Sequence, residues 1–121
     1  MNSYWDLRAW QLGTEVAEEV YTITENFPKR FHYSLANQIE RAATSIPSNI
    51  AEGYCQRTRK DRIQFYFIAR GSLAELETQL VLTTRKKFIE REVMELLWNK
   101  LQELGKIING LIRSDNNESN S

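Results

Sequence analysis

The stretch SIPSNIAEGY, residues 45–54, decides how this chain folds. Its proline stands inside a run whose apolar residues keep helical step, with Ala43, Ile46, Ile50 and Tyr54 on one face on either side of Pro47. A proline in a helix interior lacks the N–H that would reach the carbonyl four residues back, here that of Ala43. Its ring also crowds the preceding turn, at a cost of ~3 kcal/mol. The apolar spacing nevertheless crosses Pro47 without slipping phase, which predicts one continuous helix kinked at Pro47, not two helices. Ser45 and Ser48 stand where their hydroxyls can answer the freed carbonyl, directly or through water.

Outward from that segment the same period recurs. Leu35, Ile39 and Ala42 extend the stripe toward the N-terminus, and Gly53 offers a left-handed stop at its end. A first helix is predicted from Leu7, Trp10, Val16, Val20, Ile23 and Phe27, ending at Pro28. A third runs from about Thr58 to Thr84 with Ile63, Phe67, Leu73, Leu76 and Leu80 inward, and a fourth follows Val93, Leu97, Leu101, Leu104, Ile108 and Leu111. No segment alternates as a half-buried strand would. Short loops between long helices force neighbours to run antiparallel, so the expected fold is all-α, an up-down-up-down four-helix bundle. One bundle domain is expected over residues 1–113, and the polar SDNNESNS predicts a disordered tail over 114–121.

Composition bounds the rest. The 121 residues suit one domain, 41% of them are hydrophobic and 26% charged, and no apolar run approaches the ~20 residues of a membrane span. The start, MNSYWDLRAW, has neither the basic segment nor the apolar core of a signal peptide, so a cytoplasmic protein with no membrane partner is expected. A single cysteine, Cys55, rules out an internal disulfide framework and a cysteine-built zinc site. No cofactor is expected.

Gln38, Arg41, Ser45, Asn49 and Glu52 recur at spacings of three and four and stack as a polar stripe beside the apolar one. Glu52 is placed to pair with Arg41 or Arg70. The run Gln38, Arg41, Ala42, Ser45, Ile46, Asn49, Ile50, Ala51, Glu52, Gly53 resembles the signature of the four-helix bundle family named for proteins encoded within 23S rRNA intervening sequences. A second block, with Ala69, Arg70, Gly71, Ser72, Leu73, Glu75, Leu76, Gln79 and Leu80, resembles that family's third-helix motif. Asp6, Leu7, Trp10, Phe27 and Pro28 match as well. The resemblance implies a small bacterial helical protein that assembles as a homopentameric ring. A related group serves as accessory proteins to the reverse transcriptases of diversity-generating retroelements, contacting nucleic acid and the polymerase through a basic surface. Two departures stand out. Cys55 replaces a frequent glycine, and TRKKF lacks the glycine that often closes the turn after the third helix.

The 16 basic and 16 acidic residues cancel, so only their arrangement can favour a charged partner. Up-down topology gathers Lys29 and Arg30 with Arg85, Lys86 and Lys87 at one end, and Arg57, Arg59, Lys60 and Arg62 at the other. Acids such as Glu15, Glu18, Glu19, Glu92 and Glu95 occupy the helix bodies. Two readings compete: loops and helix ends favour Lys and Arg for solubility and the helix dipole, or the ends bind RNA or DNA phosphates. Of the two ends, the turn with Arg57, Arg59, Lys60 and Arg62 is the expected nucleic-acid site because it adjoins the signature.

An enzyme is disfavoured. Cys55 and His32 flank opposite ends of a helix of about 20 residues, roughly 30 Å long, and cannot form a nucleophile–base pair within one protomer. The one histidine follows Lys29, not Glu, at the spacing a bundle di-iron site needs, and no glycine-rich phosphate loop appears. The alternative is an interaction scaffold without nucleic-acid binding of its own. Tyr4, Trp5, Trp10, Phe65, Tyr66 and Phe67 supply more aromatics than one narrow core stripe holds, leaving some for a subunit interface.

Overall fold

The computed structural model describes residues 3–119. Four helices follow one another: α1 (Arg8–Glu25), α2 (Leu35–Tyr54), α3 (Arg59–Arg85) and α4 (Arg91–Ser119). Short 3-10 turns precede α1 (Tyr4–Asp6) and α2 (Lys29–Phe31). Packing joins α1 to α2, α2 to α3, α3 to α4 and α4 back to α1, so the expected antiparallel bundle is what forms, with α3 diagonally across from α1. The α1–α4 seam is the sparsest of the four.

Each helix gives one stripe to a single core. Leu12, Val16 and Val20 meet Ile39, Ala43, Ile46 and Ile50, then Leu73, Leu76 and Leu80, then Leu97, Leu101, Leu104 and Ile108, all buried. Each such Leu or Ile stabilises the bundle by about 2 kcal/mol through removal of apolar surface from water. Two expected core positions differ. Phe67 and Val93 are exposed, because the inward line of α3 passes through Ile63, Tyr66, Ala69 and Leu73, and that of α4 through Met94 and Leu97.

α2 runs unbroken through Pro47, whose ring is buried against α1. There it packs on the bare Cα of Gly13, with its Cβ 3.4 Å from where a side chain would begin. The hydroxyl of Ser45 turns to α3 and not to the carbonyl of Ala43: its Oγ lies 2.8 Å from Oγ of Ser72. Gly53 is not a left-handed stop. No glycine among the described residues has positive φ, and α2 ends one residue later at Tyr54. The left-handed position falls instead on Lys87 (φ 65°), in the turn between α3 and α4.

The two ends of the bundle are closed as the topology requires. At one, the Phe88 ring lies 5.6 Å from that of Phe27 and 5.2 Å from that of Phe31, joining the α1–α2 and α3–α4 turns. At the other, α4 continues past residue 114, where the polar composition predicts a disordered tail. Ile112 and Asp115 prolong the inward face of Ile108, and the Asp115 carboxylate is drawn in by Arg62 of α3. Asn120 and Ser121, the end of that expected tail, lie outside the described residues.

Candidate functional site

The polar stripe of α2 lies along its groove with α3 and divides into two parts. Ser45, Asn49 and Ser72 are half-buried and knit the helices together: Asn49 Nδ2 donates to the Ser45 carbonyl at 2.8 Å and to its Oγ at 2.9 Å. Gln38, Arg41 and Glu52 remain exposed. The register set by Ser45 and Ser72 brings Gln38 level with Gln79 and Arg41 level with Leu76. Gln79 donates to Glu75 Oε1 at 3.3 Å while its own Oε1 is buried without a hydrogen-bond partner. Arg70 does not turn to Glu52. Its Nη1 donates to Asn109 Oδ1 of α4 at 3.1 Å, and its guanidinium sits 4.9 Å above the Phe67 ring. Beside the stripe, Tyr21 and Thr44 hydroxyls share a hydrogen bond, and Thr24 Oγ1 donates to Glu40 at 2.6 Å, closing the α1–α2 seam.

The basic turn between α2 and α3 is likewise divided. Thr58 caps α3 by accepting from the Asp61 amide at 3.1 Å, which fixes the first helical turn and projects Arg57, Arg59 and Lys60 outward, all exposed. Arg62 faces the other way. Its Nη2 and Nε donate to Asp115 at 3.1 and 3.3 Å, and its Nη1 to the Gln56 carbonyl at 3.2 Å. The arginine is therefore a structural clamp, and three of the four expected cations face solvent. Tyr66 lies beneath this clamp. Burial first, and the Asp115 carboxylate second, push its phenol up to about 12.

At the opposite end, Lys29, Arg30, Arg85, Lys86 and Lys87 are all exposed, with Arg30 4.7 Å above the Phe31 ring. A shallow groove of about 610 Å³ between α3 and α4 opens nearby, floored by Val81, Met94 and Trp98 and edged by Arg85 and Arg91. His32 is committed to its own turn, with Nε2 2.8 Å from the Phe27 carbonyl, and α2 separates it from Cys55.

Sequence reasoning missed Asp115 and Asn109, and it named Tyr66 only among the aromatics in excess of the core, whereas Tyr66 is buried. Asp115 had a signal, its seven-residue offset from Ile108, which the polar composition around it hid.

The signature along α2 and α3 now has its structural setting, and a model of the 23S rRNA-intervening sequence protein matches residues 5–110. The chain belongs to that family. A solved family structure agrees: a protein of unknown function from the S23 ribosomal protein family of Bacteroides thetaiotaomicron VPI-5482 superposes with a TM-score of 0.80 at 27% identity. The match covers 87% of this chain and 95% of that one. Among curated proteins none matches. Asp115 falls beyond the residues that the family model matches, so the clamp on Arg62 joins a residue inside the matched region to one outside it. Among the described residues no helix is long and apolar enough to cross a membrane.

Proposed function

We propose that the chain is a non-catalytic, self-assembling cytoplasmic protein that associates with RNA or DNA through the turn between α2 and α3. The observation that supports this is the outward projection of Arg57, Arg59 and Lys60 from a capped helix start, while acids such as Glu15 and Glu18 lie along the body of α1. Each cation that meets a phosphate releases a counterion, so a neutral protein binds nucleic acid through such a cluster with affinity that falls as salt rises.

The test is a fluorescence-anisotropy titration of single-stranded and duplex RNA and DNA at several salt concentrations, comparing the parent with Arg57→Ala/Lys60→Ala. Arg62 is left intact because its loss would disturb the fold. The double variant should keep its helicity and bind more weakly across sequences, with the salt slope shallower by about 2. A parent protein that binds none of these, or a variant with unchanged affinity, overturns the reading.

A second reading, a scaffold for another protein such as a reverse transcriptase, is favoured by the exposed apolar side chains Phe67, Ile68, Leu82, Val93 and Leu96. It predicts no salt-dependent nucleic-acid binding by the chain alone.

A further inference from the structure

Among the described residues, the large exposed apolar side chains fall in two places, apart from the aromatics Trp5, Tyr21 and Tyr33. On α3, the face turned away from the core bears Phe67, Ile68 and Leu82, the last two 52% exposed. Ile68 and Leu82 are fourteen residues apart, nearly four whole turns, so they stand in line about 21 Å from each other. Between them the same face offers Gly71, with nothing within 4 Å of where its Cβ would be, and Ala74 and Thr78, both exposed. On the α1–α4 seam, Val93 and Leu96 of α4 are 41% and 71% exposed. With Ile23 of α1 they line a hollow of about 290 Å³.

These places carry opposite charge. The α3 face is flanked by the exposed cations Lys60, Arg70, Arg85 and Lys86, against the acids Asp61 and Glu75. Glu19 lines the hollow and the exposed Glu92 stands one turn before Leu96 on α4, while Lys100, one turn after Leu96, is already held between Glu15 and Glu19. The Lys100 hydrogen bond also keeps the Glu15 carboxyl below the usual carboxylate range, so this side stays acidic at neutral pH.

We infer that the α3 face of one copy seats on the α1–α4 hollow of the next, apolar centre on apolar centre and basic rim on acidic rim. The inference rests on the self-assembly in the proposed function and names the two surfaces that make it. Because α3 stands diagonally across the bundle from α1, the two surfaces point in different directions, and one two-fold axis cannot engage both pairs at once. Each copy therefore uses its hollow for one neighbour and its α3 face for another. Such a head-to-tail contact closes into a ring or runs on as a filament, and does not stop at a symmetric dimer.

Two variants test this, Ile68→Glu on the α3 face and Leu96→Arg at the hollow. Both side chains are solvent-exposed in the protomer, and each substitution sets a charge against a rim of the same sign. Light scattering coupled to size exclusion gives the mass, and circular dichroism with thermal melting confirms the fold. The parent should be larger than a dimer, each folded variant alone should fall to monomer mass, and an equimolar mixture should regain at least a 1:1 dimer, since each variant retains the surface the other has lost. A parent oligomer whose mass neither variant changes, or variants that stay monomeric when mixed, overturns the two-surface contact and leaves self-assembly standing. A monomeric parent overturns both.

Discussion

A Cβ placed on Gly53 would fall 2.8 Å from Cε1 of Tyr66 and 3.0 Å from Cβ of Phe65. The glycine thus lets α2 and α3 approach at the point where the tyrosine ring crosses between them. Gly53→Ala should destabilise the protein by about 1–3 kcal/mol through overpacking, although alanine is the better helix former by about 1 kcal/mol. Gly110→Ala is the control, since a Cβ there meets only the end of the flexible Arg113 side chain at 4.0 Å. It should stabilise by about 0.5–1 kcal/mol. Urea unfolding of the two variants checks the contrast, and equal effects would refute the close-approach argument.

Lys87 holds φ at 65°, a region that strains any residue with a Cβ. Lys87→Gly should relieve that strain and raise stability by roughly 0.5–1 kcal/mol, the gain being reduced by the greater freedom of glycine in the unfolded chain. A thermal midpoint at or below that of the parent would count against it.

The Arg62–Asp115 pair makes the end of α4 part of the fold. A chain ending after Arg113 leaves the half-buried Arg62 guanidinium without the carboxylate that meets it at 3.1 Å. The loss should be about 2 kcal/mol, the range of a charged hydrogen bond. Asp115→Asn should cost less, and Asp115→Ala about as much as the truncation. Denaturant melts of all three would show it, and an unaffected truncation would return residues 114–119 to the status of a dispensable tail.

Tyr66 couples stability to high pH. Its phenol is pushed up to about 12 when folded, from an ordinary value of 10. A group whose folded value is raised gives stability that is complete below the unfolded value. That stability is lost as the unfolded chain alone ionises, here between pH 10 and 12. The expected loss over that window is on the order of 2–3 kcal/mol. A phenolate absorbance step near pH 12 that Tyr66→Phe removes, together with a flatter alkaline stability curve for that variant, would establish the coupling. A Tyr66→Phe titration identical to that of the parent would exclude it.

The bundle is legible in the sequence because its core obeys one period. Ile39, Ala43, Ile46 and Ile50 can be placed inward without knowing what they touch. Gly53 reads locally as a glycine in its commonest role at a helix end, and its true cause, the Tyr66 ring, is a contact between residues thirteen apart that no local pattern displays. Hydrophobicity prefers Phe67 to Tyr66 for the core, whereas the register of α3 decides which of two adjacent aromatics turns inward. Arg62 looks like its neighbours Arg57, Arg59 and Lys60 until Asp115, 53 residues on, draws it out of the solvent. Charge clusters can be read from a sequence, but which of their members are already spoken for cannot.

Gly53 beneath Tyr66 and the Ser45–Ser72 hydroxyl pair also fix the axial position of α2. The two contacts are eight residues, about 12 Å, apart along the helix. A slide of α2 by one turn, about 5.4 Å, that brought Asn49 under the tyrosine ring would set its side chain where a Cβ already collides, and a slide either way would part the two serines. Piston-like movement between these helices is therefore barred, and α2 and α3 travel as one rigid blade. The α1–α4 seam, the sparsest packed of the four, is the one that costs least to open, so a partner bound there is placed to resist that opening.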